Sequence, residues 1–170
     1  MTKQGILERQ VKIAYLSIGS NLGNRLINIE KAKFELLNTG IKIIKTSSYY
    51  ETLSWPNPKN PKFYNIVLKI KTVFDEVKLL SICKEIEKFL GRKKSIKNSP
   101  RECDIDIIDY NRKHSKNGLN LPHTRMHERN FVLLPLFEID KNWKHPIFNQ
   151  NIKYFIFSLS NSDITSIKKI

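Results

Sequence analysis

An α+β fold, with helices packed on a mostly antiparallel sheet, is predicted by three features of this sequence. Short apolar runs rich in Ile, Val, Thr and Tyr alternate with longer stretches whose hydrophobic residues fall at helical spacing; turn residues separate them; and the order is strand, helix, strand, strand, helix, strand. The first run, residues 11–18, ends in Gly19-Ser20-Asn21, as a buried strand feeding a tight turn does. Leu22, Leu26, Ile29, Leu36 and Leu37 then recur at helical spacing, interrupted by Lys33, and Asn38-Thr39-Gly40 supplies the stop. Residues 41–52, rich in Ile, Thr, Ser and Tyr, read as a second strand, and residues 63–72 as a third. Between them lies a loop over 53–61, stiffened by Pro56, Pro58 and Pro61 and carrying Trp55, whose ring either folds onto the core or stacks on a ligand. Residues 75–90 form a second helix, with Leu79, Leu80, Cys83, Ile86 and Leu90 on one face and Gly91 closing it. A basic loop over 92–99 precedes a strand at 104–110, and an apolar segment at 131–139 follows a basic turn. This order is the ferredoxin-like βαββαβ arrangement.

The 170 residues suffice for one domain with a continuous core, since domains commonly run to about 100–200 residues. A short tail over residues 1–10, charged and lacking the apolar stretch of a secretory signal, is expected to be mobile ahead of a single domain over 11–170. Hydrophobic residues make up 40% of the chain, yet no apolar run approaches the roughly 20 residues that span a bilayer, which argues against a membrane protein. Cys83 and Cys103 belong to no CxxC pattern or disulfide framework and fit a reducing cytoplasm. A formal charge of +14 attracts anions, phosphates or nucleic acid alike, or else reflects lysines that are merely solvated. No RNP-type, zinc-finger or helix-turn-helix pattern accompanies it, so no nucleic-acid partner is expected.

The chemistry is concentrated at Asp104 and Asp106. Residues two apart in a strand share a face, so these carboxylates stand side by side, their Cα atoms about 6.6–7 Å apart, while Ile105 and Ile107 face the core. Two such carboxylates repel unless a cation sits between them, and oxygen-only ligation suits magnesium, which takes its remaining ligands from water and substrate phosphates. Solvated acids at a strand end have the same pattern, so the neighbours decide. Arg92, Lys93, Lys94, Lys97 and Arg101 stand just upstream, where phosphoryl chemistry needs positive charge. Downstream, His123, Arg125, His127 and Arg129 form a second basic cluster able to bond phosphate oxygens, with a surface turn as the competing account.

Six ordered blocks spread over the chain after Gln10 carry a resemblance. They are Ile18-Gly19-Ser20-Asn21-Leu22-Gly23; Ser48-Tyr49-Tyr50-Glu51-Thr52; Phe63-Tyr64-Asn65; Ile86-Glu87 with Gly91-Arg92; Pro100-Arg101 with Asp104-Ile105-Asp106; and Pro122-His123 through Leu133 with Pro135-Leu136. Together they resemble the 6-hydroxymethyl-7,8-dihydropterin pyrophosphokinases, folate-pathway enzymes that move a pyrophosphoryl group from ATP to a pterin alcohol and release AMP. The resemblance implies two magnesium ions on Asp104 and Asp106, with Arg92 and Arg101 also catalytic. It implies ATP contacts at Glu87, Arg92, Lys94, Lys97, Arg101, His123 and Arg129, and a pterin pocket using Thr52, Leu53, Trp55, Asn65 and stacking faces among Phe63, Tyr64, Trp55 and Phe131. A stand-alone, monomeric, cytoplasmic enzyme is expected, with no membrane or nucleic-acid partner.

The chain departs from the family pattern at Lys97-Asn98-Ser99, where Arg or Trp followed by Gly is common, and at Leu53-Ser54-Trp55-Pro56, where the pterin loop usually carries Pro and Gly. Two rival readings follow from the residues alone. A basic ferredoxin-like sheet also suits single-stranded RNA, but the RNP aromatics are missing. A metal-dependent nuclease or nucleotidyltransferase shares the carboxylate pair but gives no reason for Asn65 and its aromatic neighbours.

Overall fold

The computed structural model describes residues 10–55, 57–93, 96, 98–116 and 118–170. Most of the expected tail, residues 1–9, lies outside the described residues, as do Lys94 and Lys97. The first strand, β1 (Lys12–Ser20), is buried along its last seven residues because it has helices on both faces, which is why its sequence is apolar without alternation. Helix α1 (Arg25–Asn38) starts three residues later than Leu22, since Asn24 caps it by accepting from the Ile27 N–H at 3.1 Å. Its buried stripe is Ile29, Ala32 and Leu36; the expected Leu22, Leu26 and Leu37 are exposed. Lys33 does not interrupt that stripe, because it lies beside it and pairs with Glu30 at 2.9 Å.

The expected second strand is two strands, β2 (Lys42–Thr46) and β3 (Tyr50–Thr52), both paired with β4 (Phe63–Thr72). Ser47 breaks the run. Its backbone N–H reaches Val67 O at 3.0 Å while its hydroxyl, not its carbonyl, accepts the Val67 N–H at 2.9 Å, replacing a ladder bond with a side-chain bond. Helix α2 (Glu76–Phe89), capped by Asp75 on the Lys78 N–H at 2.7 Å, buries Leu79, Ile82, Cys83 and Ile86; Leu80 and Leu90 are only half-buried. Strand β5 (Asp104–Tyr110) falls where expected.

The sheet runs β5-β1-β4-β3-β6, with β2 also on β4 and a short β6 (Lys168–Lys169) on β3; every pairing is antiparallel. With β2 and β3 counted as one strand in two pieces, this is the predicted βαββαβ order, in which α1 crosses over the place that β4 takes and α2 crosses over β1. Helices α1 and α2 cover one face through Leu16, Ile18, Ile66, Leu68 and Ile105. The apolar segment at 131–139 is helix α3 (Asn130–Ile139), which with α4 (Ile152–Phe157) covers the other face through Tyr15, Val67 and Ile108. A short helix α5 (Asn161–Thr165) precedes β6. No helix among the described residues is long and apolar enough to cross a membrane.

Candidate active site

The site forms where the end of β1 meets the start of β5. Gly19 pairs with Asp104 and Ser17 with Asp106, so the alternation that sends Ile105 and Ile107 into the α1/α2 core turns both carboxylates to the α3 side. Across β1, Gly19 also pairs with Asn65. A β-carbon at Gly19 would lie 2.9 Å from Asn65 Oδ1 and 3.3 Å from Phe63 Cδ1, so glycine is what lets the amide and the ring crowd toward the carboxylates.

Basic side chains converge on that pair. Arg92 Nη1 donates to Asp104 Oδ1 at 2.6 Å and Arg101 Nη2 to Asp104 Oδ2 at 2.5 Å. Burial opposes ionisation of Asp104, but the two guanidiniums outweigh it and hold the carboxyl below its usual range. Arg92 is itself braced by Glu87 at 2.7 Å. Burial opposes its charge too, and Asp104 with Glu87 more than compensates, raising its pKa. Glu87 is only 2% exposed, and its other oxygen accepts the Ile105 N–H at 2.7 Å and the Lys84 ammonium at 2.8 Å. It therefore stands behind the site, fixing Arg92 to the strand that carries the aspartates.

Asp106 faces the downstream cluster. Arg129 Nη1 lies 3.5 Å and His123 Nε2 3.8 Å from its Oδ2. The His123 backbone N–H donates to Ile108 O at 2.9 Å, which ties this segment to β5. Burial lowers the pKa of both His123 and Arg129 against the attraction of Asp106. Arg125 lies away from the carboxylates, its guanidinium 4.7 Å over the ring of Trp55, which is 63% exposed.

On the same sheet face, Asn65 Nδ2 donates to Thr52 Oγ1 at 2.9 Å, and Phe63 lies 5.2 Å from the Arg101 guanidinium. Phe131, in the first turn of α3, stands 5.5 Å from that of Arg129. Leu53 is exposed beside Thr52. Tyr64 is not part of this group. Between Phe63 and Asn65 in the strand, it faces the α1 layer, with Arg25 at 3.7 Å over its ring, so of the neighbouring aromatics it is Phe63 that reaches the site. Sequence reasoning assigned no role to Gly19 or to Asn21, whose contacts are long-range; their place in the Gly-Ser-Asn turn and in the first resemblance block was what marked them.

The donors suit magnesium. Among the described residues no group of three or more His, Cys, Asp and Glu forms a closed cage, so a cation on Asp104 and Asp106 would draw its remaining oxygens from water and substrate, as magnesium does and structural zinc does not. The Nε–H of Arg101 is buried with no partner among the described residues, a donor that an anionic oxygen beside Asp104 would satisfy.

A family profile described as 7,8-dihydro-6-hydroxymethylpterin-pyrophosphokinase (HPPK) matches residues 15–141. The 2-amino-4-hydroxy-6-hydroxymethyldihydropteridine pyrophosphokinase of Aquifex aeolicus is 40% identical over 142 residues, 83% of this chain and 88% of that protein. A folic acid synthesis protein of Pneumocystis carinii is 40% identical over 154 residues, 90% of this chain but 21% of that protein. The chain thus spans most of the shorter relative and about a fifth of the longer one. Among solved structures, an HPPK-DHPS of Plasmodium falciparum with pterin and p-hydroxybenzoate superposes with a TM-score of 0.74 at 17% identity, over 97% of this chain and 48% of that one. That likeness shows the shared fold.

Proposed function

The chain belongs to the 7,8-dihydro-6-hydroxymethylpterin-pyrophosphokinase family, and from that premise we propose that it transfers pyrophosphate from ATP to 6-hydroxymethyl-7,8-dihydropterin in folate biosynthesis. The observation that carries the reading is the meeting, on one sheet face, of a carboxylate pair ringed by Arg92, Arg101, His123 and Arg129 with an amide and aromatic edge at Asn65 and Phe63. Asp104 and Asp106 would hold magnesium, two ions in our reading, which when bound neutralises phosphate charge and polarises the phosphorus. Arg92 and Arg101, now on Asp104, are placed to turn toward phosphate oxygens, and the Arg101 Nε–H, which has no partner among the described residues, suits one as well. Arg129 and His123 address the same phosphates from the Asp106 side.

Asn65 and Thr52 would read the heterocycle's edge and Phe63 and Phe131 its faces, with Leu53 and Trp55 closing over it; stacking supplies affinity and the edge selectivity. The hydroxymethyl oxygen then attacks the β-phosphorus in line and gives up its proton to water, the bond between the α,β-bridging oxygen and that phosphorus breaks, and AMP leaves with the bridging oxygen. Orientation and charge neutralisation carry most of the rate. Incubation with magnesium, ATP and the pterin alcohol is expected to yield AMP and pterin diphosphate in equal amounts. Absence of pterin-dependent AMP would overturn the reading.

A further inference from the structure

Asn21 is 2% exposed and joins two segments far from it in sequence. Its amide oxygen accepts the Arg101 backbone N–H at 2.8 Å, and its own backbone N–H donates to Arg101 O at 3.1 Å. Its amide nitrogen donates to Ser54 Oγ and to Pro61 O, each at 3.1 Å. Ser54 Oγ in turn donates to Pro61 O at 2.5 Å, so the two ends of the loop over 54–61 are pinned to each other and, through Asn21, to Arg101. Both amide hydrogens and the carbonyl of Asn21 are engaged, and no other residue type of this size supplies two donors and an acceptor.

We propose that Asn21 and Ser54 are positioning residues that couple the two substrate subsites, so that seating the loop of Leu53 and Trp55 also seats Arg101 beside Asp104. The assignment of the subsites rests on the pyrophosphoryl-transfer reading; the mechanical link does not. Arg101 is the hinge of the coupling because its backbone is held by Asn21 while its side chain reaches Asp104 and lies beside Phe63. A displacement of the loop at Ser54 is passed to Asn21 and from there to the Arg101 peptide. Groups sharing one hydrogen-bond network couple in this way.

The test uses the full chain as wild type, Asn21→Ala, Ser54→Ala and Ser54→Thr. Amide hydrogen exchange over residues 54–62 and 98–103 reads the link directly. Ser54→Ala, which removes the hydroxyl bonded to Asn21 and Pro61 and makes no contact with Arg101 itself, is expected to accelerate exchange in both segments by about threefold or more, and Ser54→Thr, which keeps the hydroxyl, to restore it. Affinity for the pterin alcohol is then measured with and without magnesium and α,β-methylene-ATP. The gain that the nucleotide confers on wild type is expected to shrink about tenfold in Asn21→Ala and severalfold in Ser54→Ala. Exchange in Ser54→Ala that changes only within the loop, or a nucleotide-dependent gain that survives both alanine variants, would overturn the proposal. If Asn21→Ala fails to fold, the Ser54 pair still decides. A wild type that releases no AMP sinks the functional reading and leaves the exchange result to judge the link.

Discussion

At the scale of single residues, the proposed function separates groups that would touch substrate from groups that would hold them. Asp104 and Asp106 present oxygens to the same face of β5, and replacing either with Asn removes charge without removing volume. Asp104→Asn and Asp106→Asn are each expected to lower kcat by on the order of a hundredfold or more, with an unchanged circular dichroism spectrum. Retained turnover at saturating magnesium would refute the assignment. Phe63 and Tyr64 are neighbours with opposite fates, since successive side chains in a strand point to opposite faces. Phe63→Ala is expected to raise the pterin KM about tenfold, as loss of a stacking face does, whereas Tyr64→Ala should cost stability at the α1 interface and leave that KM near wild type. Steady-state kinetics beside urea denaturation tells them apart.

At the scale of elements, the split between β2 and β3 shows how one side chain edits a ladder. Ser47 is buried, and its hydroxyl takes the Val67 N–H while donating to Ser48 O at 2.8 Å. Ser47→Ala leaves a buried backbone donor unpaired at the centre of the sheet, and an unfolding free energy lower by about 1–3 kcal/mol is expected from urea titration. Catalytic constants should not follow, because this break lies toward the β2 end of β4 and the site lies at Phe63 and Asn65. The helix starts obey a simpler rule. Asn24 and Asp75 each accept a backbone N–H of the first turn, and both helices begin where those caps stand rather than where the apolar spacing begins.

At the scale of the whole molecule, the C-terminal layer sets an acid limit. His145 is buried among Trp143, His127, Phe148 and Phe155, and its Nδ1 accepts the N–H groups of Ile147 and Phe148 at 3.2 and 3.3 Å, which requires that nitrogen to be unprotonated. Burial, with a contribution from His127, pushes its pKa down from 6.5 to about 4. The unfolded chain therefore binds a proton that the folded chain refuses. The stabilisation is full above the unfolded value of 6.5 and is lost as pH falls through the folded value of about 4, on the order of 3 kcal/mol in all. Urea unfolding between pH 7 and pH 4 is expected to show that decline. His145→Gln, which has no proton to bind, should have a lower plateau and a flatter acid limb; equal slopes would refute the assignment.

Most elements and both carboxylates were legible in the sequence because they depend on local rules. Period-two alternation put Asp104 and Asp106 on one face, β4 and β5 fell at their expected bounds, and the order of elements left the βαββαβ topology as the simplest closure. The basic residues around the pair were legible as charge, and the structure brings Arg92, Arg101, His123 and Arg129 to it. Other features depended on which residues meet across long stretches of chain. The choice of Phe63 over Tyr64, the turn of Glu87 inward to brace Arg92, the need for Gly19 and the four bonds of Asn21 all arise from contacts between separate elements. Local spacing says which face a side chain takes relative to its neighbours, but only the packing of the sheet against its two helical layers decides which of those faces becomes the site.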